Sequence, residues 1–462
     1  MSVLDDALGV LLSDELAHVV DLALCARDGI IEAHARCGSV GFSKGEVRWV
    51  RGANPLERQD PAAFAPLSSE LRELRPDNAR NHYPFAYDNV EHLFADDRAP
   101  DIAVVHTPAH NWEERGGHRG EHGSLDVVQS RAPLIVSGAG VKQLGIADRV
   151  ARMVNVGPTI AALAGARVAH AEGEPLDDLI DAAPGRVVAF LWDGTNANVL
   201  YEMAASGELP TVARLMDAGT TFRHGCIASF PSVTLANHTT GATGCHPGTH
   251  GVLNNFYFDR VTGRQIVANS PETWHEARDK ISTRVQTVFE AVDGFTAAIN
   301  EPADRGASYA TFDLVRAAGG WAALQASVPA PADVPGSTTS FMSIPEYGWS
   351  SSADHLAVQQ ATQVWTQHPA LMWVNLILPD AANHAGGPHS EVGYAGLRDT
   401  DARMGEIVDG IGWGDDRTAC VLFADHGMEQ SDPACKGDWD VALGQARISF
   451  RDEGYGFIYL EP

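Results

Sequence analysis

The stretch of sequence that decides the fold runs from Phe230 to Asn255 and reads FPSVTLANHTTGATGCHPGTHGVLNN. Its Pro-Ser-Val-Thr turn leads into small residues, so we predict that a helix begins at Thr234. The first turn of a helix has free backbone N–H groups and the positive end of the helix dipole, and both favour an anion. The Thr234 hydroxyl is therefore predicted to face an anion, and phosphate is the first candidate.

Three apolar runs elsewhere in the chain end in side chains of metal-ligating type. VVAFLWDG (187–194) contains Asp193, LMWVNLILP (371–379) precedes Asp380 and His384, and ACVLFA (419–424) precedes Asp425 and His426. Short apolar runs of this kind are typical of buried strands in a parallel sheet. Such sheets bind ligands at the C-terminal ends of their strands, so we expect these side chains to lie at one edge.

Together, these segments resemble the alkaline phosphatase superfamily, and most of all its nucleotide pyrophosphatase/phosphodiesterase branch. The motifs that carry the resemblance are DGT at Asp193, FPSVT at Thr234, ANH at Asn237, TG-x-x-P-x-x-HG-x-x-NN ending at Asn255, PDAANH at Asp380 and ADHGM at Asp425. The resemblance implies a three-layer α/β/α fold with a mostly parallel sheet and a cap insertion, which agrees with the alternating strand and helix pattern.

The resemblance also implies two divalent metal ions. One would be bound by Asp380, His384 and His122, and the other by Asp193, Asp425 and His426, with the Thr234 oxygen facing it. Mixed imidazole and carboxylate ligands suit catalytic Zn²⁺, although Mn²⁺ or Fe could occupy the same residues. Thr234 would form a phosphoryl-threonine intermediate, and Asn255 would donate a hydrogen bond to a non-bridging phosphate oxygen.

The order of the motifs differs from that of the superfamily. There, a histidine in a G-x-HG segment comes last, followed by a strand and a PTI-type helix; here GEHGS (120–124), APLIVSGAGV and VGPTIAALAG precede Asp193. We therefore predict a circular permutation. In this interpretation residues 1–176 carry the half of the core that is normally C-terminal, 177–186 form a linker, 187–255 carry the nucleophile, 256–350 form a cap or insertion, and 351–462 complete the core.

Further elements are predicted from local patterns. A hairpin turn is expected at Asp28-Gly29 within LALCARDGIIEAHA, and a buried strand at residues 101–105. Apolar residues at helical spacing predict one more helix, around Leu397, Met404, Val408 and Ile411.

Composition narrows the choice of partners. The net charge of −27 argues against nucleic acid polymers or anionic membranes, and no apolar run is long enough for a membrane span. The start of the chain has no secretory signal, so a cytoplasmic location is expected. The cysteines at positions 25, 37, 226, 245, 420 and 435 have no C-x-x-C spacing and are predicted to be reduced thiols.

Simpler interpretations stand beside these. Thr234 can be only a helix cap, and Asp193 only a turn residue. His106, His110 and His118 share a loop with His122 and are alternatives to it as ligands. His238 and His250 are expected to brace the nucleophile helix and the turn after it.

Three functions remain open on the sequence alone. The first is a phosphodiesterase or nucleotide pyrophosphatase acting on a small phosphate ester. The second is a phosphomonoesterase or phosphonoacetate hydrolase of the same superfamily, and the third is an inactive phosphate- or nucleotide-binding protein on the same scaffold. A sulfatase is disfavoured because no C/S-x-P-x-R signature surrounds Thr234.

Overall fold

The computed structural model describes residues 2–63, 81–112, 117–320, 341–415 and 417–461. Its strands, β1 to β22, are Val20–Arg27, Ile30–Ala35, Gly38–Ser43, Glu46–Gly52, Ile102–His106, Gly120–Glu121, Arg131–Ala132, Leu134–Gly138, Gly145–Ala147, Ala151–Arg152, Arg186–Trp192, Gly219–Phe222, Cys226–Ile227, Phe256–Asp259, Arg264–Val267, Thr296–Ile299, Tyr309–Ala310, Leu371–Leu376, Thr418–Phe423, Glu429–Gln430, Phe450–Glu453 and Phe457–Leu460. Its α-helices, α1 to α15, are Val3–Leu11, Ala86–Leu93, Val127–Ser130, Val156–Leu163, Ala197–Ala205, Pro210–Asp217, Thr234–Thr243, Pro247–His250, Ala277–Lys280, Val288–Ala291, Thr311–Ala318, Pro345–Trp365, Leu378–Gly386, Glu391–Gly410 and Trp439–Gln445.

An eight-stranded sheet forms the centre of the molecule, with the strand order β17-β16-β18-β11-β19-β8-β12-β9. The first five strands run parallel to one another, β8 is antiparallel to both of its neighbours, and β12 pairs parallel with β9. The three apolar runs of the sequence are the adjacent strands β18, β11 and β19. The predicted mostly parallel α/β sheet is therefore confirmed.

Both faces of this sheet are covered. In β11, Val187, Ala189 and Leu191 pack in one apolar core with residues of α4 and α7. The alternate side chains Val188, Phe190 and Trp192 pack in a second core with residues of α5, α6, α12 and α14. Successive side chains of a strand point to opposite faces, so a strand covered on both sides is apolar throughout. This confirms the three-layer α/β/α architecture and the helix predicted around Leu397.

A second sheet of seven antiparallel strands lies beside the core, in the order β21-β22-β5-β1-β2-β3-β4. The predicted hairpin is present, because Arg27 pairs with Ile30 and both Asp28 and Gly29 have positive φ. The predicted strand at 101–105 is β5, which pairs with the C-terminal strand β22. The N-terminal and C-terminal segments therefore share one sheet.

The sheet order corrects part of the interpretation of residues 256–350 as a cap or insertion. Strands β16 and β17 lie within it, and both belong to the central sheet. Residues 321–340 of the same segment lie outside the described residues. The rest of the predicted domain division stays a prediction. Within the described residues, no helix has the length and apolar character that a membrane span requires.

A buried carboxylate fixes the start of α13, the helix that carries Asp380 and His384. Asp354 on α12 is fully buried, and its two oxygens accept the backbone N–H groups of Ile377 and Leu378 at 2.9 and 3.2 Å. These N–H groups lie at the helix start, where no earlier turn can supply an acceptor. Asp354 therefore satisfies donors that would otherwise be buried without partners.

Replacing Asp354 with Ala is expected to lower the free energy of unfolding by roughly 2–5 kcal/mol, because each buried donor left without an acceptor costs about 1–3 kcal/mol. Asp354→Asn keeps one acceptor oxygen and should cost about half as much. Urea denaturation measures both values. The exposed Asp217 provides the control, since Asp217→Ala should change stability by less than about 0.5 kcal/mol. A loss for Asp354→Ala no larger than that of the control would show that Asp354 does not hold this helix.

Candidate metal centre

Three aspartates meet at one edge of the central sheet because their strands are neighbours. Asp193 directly follows β11, Asp425 comes two residues after β19, and Asp380 lies in the first turn of α13 after β18. Oxygens of Asp193 and Asp380 lie within 4.8 Å of each other and of a His426 ring nitrogen. The Gly194 N–H donates to Asp425 Oδ1 at 3.1 Å, which joins the ends of β11 and β19.

The first group of candidate ligands is His122, Asp380 and His384. Asp380 Oδ2 lies 3.3 Å from His384 Nε2, and Asp380 Oδ1 lies 4.0 Å from His122 Nε2. His384 Nδ1 lies 2.8 Å from the Gly120 carbonyl oxygen, and His122 Nδ1 lies 3.0 Å from the Ser232 carbonyl oxygen. A carbonyl can only accept, so each Nδ1 carries a proton and each ring turns its Nε2 towards Asp380.

Backbone contacts bring His122 to this position. Strand β6, which ends at Glu121, pairs with β20, and Gly123 forms a bridge with Ser232 just before Thr234. The Gly123 N–H also donates to Ser232 Oγ at 3.1 Å. The segment 120–123 is thus hydrogen-bonded to the segments that carry Thr234, His384 and His426.

The other histidines of the same loop lie in different surroundings. His106 Nε2 lies 3.2 Å from the backbone oxygen of His122, and the His110 ring packs against Trp112 and Trp439. The His118 ring is centred 4.0 Å from the His384 ring, next to Glu121. His122 is therefore the histidine of this loop that faces both Asp380 and the second group, while His118 lies behind His384.

The second group is Asp193, Asp425 and His426, with Thr234 beside it. His426 Nε2 lies 3.2 Å from Asp425 Oδ2, 3.9 Å from Asp193 Oδ1 and 3.5 Å from Thr234 Oγ1. His426 Nδ1 lies 2.8 Å from the Gly427 oxygen, so Nε2 is again the atom facing the carboxylates. The rings of His122 and His426 stack at 3.8 Å and connect the two groups.

Thr234 occupies the predicted position at the start of a helix. It is the first residue of α7 and is nearly buried. Asn255 lies next to it, because Asn255 Oδ1 accepts the N–H of Leu235 at 3.2 Å. The structure thus places both residues beside the second group.

Two further side chains of the site were not assigned to it from sequence. His238 lies one turn after Thr234 on α7, and its Nδ1 is 3.0 Å from Glu301 Oε2. Its Nε2 is 3.6 Å from Asp193 Oδ2 and 3.7 Å from Asp425 Oδ2. The four-residue spacing from Thr234 was the available signal, since it places both side chains on one helix face. Glu301 follows β16 in a loop that carried no recognisable pattern.

The electrostatics of the site are those of carboxylates withdrawn from water. Burial raises the pKa of Asp193 to about 7, with repulsion from Asp425 and Asp380 acting in the same direction. Burial also raises the pKa of Asp425 to about 7. Burial acts likewise on Asp380, but His384 outweighs it and holds the pKa of this carboxyl below its usual range. Burial would lower the pKa of His384, yet Asp380 raises it to about 10.

The arrangement of donor atoms fits divalent metal ions. Asp193 Oδ1, Asp380 Oδ1 and Asp425 Oδ2 are buried and have no hydrogen-bond partner among the described residues. Buried carboxylate oxygens are normally paired with a donor or a cation, because an unpaired buried charge is costly. Three such oxygens, together with the imidazole nitrogens that face them, form a ligand set of carboxylate and histidine type.

Residues 187–462 match the family described as Type I phosphodiesterase / nucleotide pyrophosphatase. An uncharacterized pyrophosphatase/phosphodiesterase of Schizosaccharomyces pombe is 36% identical over 100 residues, which cover 21% of this chain and 20% of the relative. Ectonucleotide pyrophosphatase/phosphodiesterase family member 1 of Mus musculus is 24% identical over 254 residues, 54% of this chain.

The same comparison covers only 24% of the mouse relative, so the chain matches a quarter or less of the length of these curated proteins. Among solved structures, phosphonoacetate hydrolase from Sinorhizobium meliloti in complex with phosphonoformate aligns with a TM-score of 0.36 and 18% identity. The alignment covers 52% of this chain and 56% of that one. The family match extends over more than half of the chain and includes Asp193, Thr234, Asp380 and Asp425. The chain therefore belongs to the Type I phosphodiesterase / nucleotide pyrophosphatase family.

Proposed function

We propose that the protein is a metal-dependent phosphodiesterase or nucleotide pyrophosphatase that acts through a phosphoryl-threonine intermediate. One observation carries this proposal. The Thr234 hydroxyl, three aspartates and three histidines whose Nε2 atoms face them lie together at the C-terminal edge of the parallel strands. The family match supports the reaction class.

Two divalent ions, Zn²⁺ in the first instance and Mn²⁺ or Fe as alternatives, fit the two groups of ligands. His122, Asp380 and His384 would hold one ion, and Asp193, Asp425 and His426 the other. Ions bound in this way would lower the pKa of a hydroxyl or water and stabilise charge on the attacking and leaving oxygens.

The residues of the chain account for the remaining steps. Thr234 is held at the start of α7, so its oxygen can attack phosphorus in line with the leaving alcohol; a bond from Thr234 to phosphorus forms as the ester bond breaks. Water then cleaves the phosphoryl-threonine. The carbonyl oxygen of Asn255 is engaged by the Leu235 N–H, so its amide N–H₂ is the group that can donate to a non-bridging oxygen.

The cavity next to Thr234 favours a diester over a monoester. It is narrow, about 20 Å³, and its lining includes the neutral side chains of Asn269, Trp274, Asn300 and Phe312. Neither Lys nor Arg lines this cavity within the described residues. A monoester dianion carries a second negative charge that neither Lys nor Arg of the described lining would meet, whereas a diester carries only one.

The circular permutation remains part of the proposal, and two sets of contacts support it. Helix α1 packs with α15 and β22 in one apolar core, so the segments near both ends of the sequence are neighbours. The predicted linker is hydrogen-bonded to residues 1–176 near both of its ends. Lys142 N–H, in the loop after β8, donates to Leu179 O, and Gly185 N–H donates to Leu163 O. The cytoplasmic location stays a prediction of the sequence.

Purified protein is expected to bind two divalent ions per chain and to lose hydrolysis when a chelator removes them. Bis(p-nitrophenyl) phosphate should have a kcat/KM roughly 10- to 100-fold above that of p-nitrophenyl phosphate, the factor expected for one missing charge-assisted contact. Metal analysis and a panel that adds phosphonoacetate and p-nitrophenyl sulfate test this. A preference for the monoester or the phosphonate would reassign the substrate, and activity without metal would defeat the proposal.

Thr234→Ala is expected to lower kcat by at least about 10³-fold, because only the hydroxyl can form the covalent intermediate. Metal content and thermal stability should stay close to wild type. Thr239→Ala is the matched control, since Thr239 lies on the same helix and its hydroxyl only donates to the Leu235 carbonyl. Hydrolysis by Thr234→Ala at the rate of the control would mean that water attacks phosphorus directly.

Gly194 provides a test of how tightly Asp380 is placed. This glycine has φ of +59°, and a Cβ built on it would lie 2.3 Å from Asp380 Oδ1. Gly194→Ala must therefore displace that carboxylate, and we expect metal affinity to fall roughly 10- to 100-fold, as for other disturbed ligand shells. Competition titration with Zn²⁺ measures the change. Gly207→Ala has similar backbone strain (φ +85°) with open space around its Cβ and should bind Zn²⁺ as wild type does. Equal affinities for both variants would contradict the placement.

A further inference from the structure

His238 and Glu301 form a fully buried pair that the proposed mechanism does not use. Both side chains have 0% relative exposure, and His238 Nδ1 lies 3.0 and 3.1 Å from the two oxygens of Glu301. Glu301 is itself fixed, because its Oε1 accepts the Ala303 N–H at 2.8 Å. The imidazole ring is therefore held from its Nδ1 side, and the direction of Nε2 is determined.

The other ring nitrogen faces the second group of candidate ligands. His238 Nε2 lies 3.6 Å from Asp193 Oδ2 and 3.7 Å from Asp425 Oδ2. Hydrogen bonds between a histidine and a carboxylate are about 2.7–2.9 Å long, so neither contact is one. Within the described residues Nε2 has no hydrogen-bond partner, although it is completely buried. A polar nitrogen in that situation indicates a missing partner.

The spacing of the atoms identifies that partner. Ligands that bind one ion at 2.0–2.2 Å in a tetrahedral arrangement lie roughly 3.3–3.6 Å from one another. The Nε2 atom of His426 is 3.2 Å from Asp425 Oδ2, and the Nε2 atom of His238 is at a similar distance from both aspartates. A carboxylate on Nδ1 is also the usual support of a metal-binding histidine, since it fixes the tautomer that leaves Nε2 free.

We propose that His238 is a fourth protein ligand of the ion bound by Asp193, Asp425 and His426, supported on its far side by Glu301. This rests on the proposed two-metal function and adds a ligand that the motif comparison did not assign. Thr234 lies one turn earlier on the same helix, so α7 supplies both the nucleophile and a ligand of the ion beside it. With Thr234 bound, this ion has five protein ligands, a number that Mn²⁺ or Fe accommodates as readily as Zn²⁺.

The direct test is the structure of wild-type protein loaded with Zn²⁺ alone, with the ions located by anomalous scattering. His238 Nε2 is expected at about 2.0–2.1 Å from the ion between Asp193 and Asp425. The proposal is overturned if that ion is bound with His238 Nε2 more than about 3 Å away, because the histidine then only orients the two carboxylates. This measurement needs no variant.

Competition titrations with Zn²⁺ give a second test that does not depend on activity. His238→Gln should weaken one of the two sites by more than about 100-fold, and Glu301→Gln by about 10- to 100-fold, since loss of an outer partner costs less than loss of a ligand. His250→Gln is the matched control: His250 is equally buried, but its ring contacts Thr240 Oγ1 and the Val252 N–H. Circular dichroism of the metal-free proteins confirms folding.

The outcomes separate this inference from the proposed function. If wild type binds two ions and hydrolyses the diester while His238→Gln binds both ions as tightly as His250→Gln does, the fourth ligand is wrong and the two-metal function stands. If wild type binds no ion between Asp193 and Asp425, the proposed function fails together with this inference.

Discussion

Mutual repulsion among Asp193, Asp380 and Asp425 is the constraint on which the arrangement of the site depends. Two unit charges about 4 Å apart repel each other by roughly 4 kcal/mol at an effective dielectric constant of 20. Burial at the sheet edge adds a desolvation cost, and the raised pKa values of Asp193 and Asp425 express both effects. Positive charge among these carboxylates offsets both costs, and His384, whose pKa Asp380 raises to about 10, is one source of it. The surrounding histidines turn their Nε2 atoms towards the aspartates, as candidate ligands of a shared ion would.

Most of the candidate ligands are held in place by a second contact. His122, His384 and His426 are each fixed through Nδ1 to a backbone carbonyl, and His238 through Nδ1 to Glu301. On the carboxylate side, Asp354 fixes the helix of Asp380 and the Gly194 N–H fixes Asp425. These partners are mostly backbone groups or fully buried side chains. The geometry of these candidate ligands is thus set by the packed core.

Much of the fold and of the candidate site was predictable from sequence, because strands and turns depend mainly on residues that are close together in the chain. The runs ending at Asp193, Asp380 and Asp425 could be recognised as buried strands, and their common edge follows from parallel pairing. The position of Thr234 follows from its turn, and the Asp28-Gly29 hairpin from its two residues. Glu301 could not be found this way, because its partner His238 is 63 residues away in the sequence. The shared sheet of β5 and β22 depends on similarly distant contacts.

The placement of His122 shows why chain order and site geometry are separable in this fold. Strand β8 joins the central sheet next to β19 in antiparallel register, so it requires the edge of β19 and not a direct chain connection to it. The segment 120–123 is then aligned by β20, by Ser232 and by His384, which come from three distant parts of the sequence. The contacts with β20 and Ser232 are backbone pairings, and the contact with His384 is a hydrogen bond from its Nδ1 to the Gly120 carbonyl. His122 is thus placed beside Asp380 by hydrogen bonds between distant segments, which do not require it to follow His426 in the sequence.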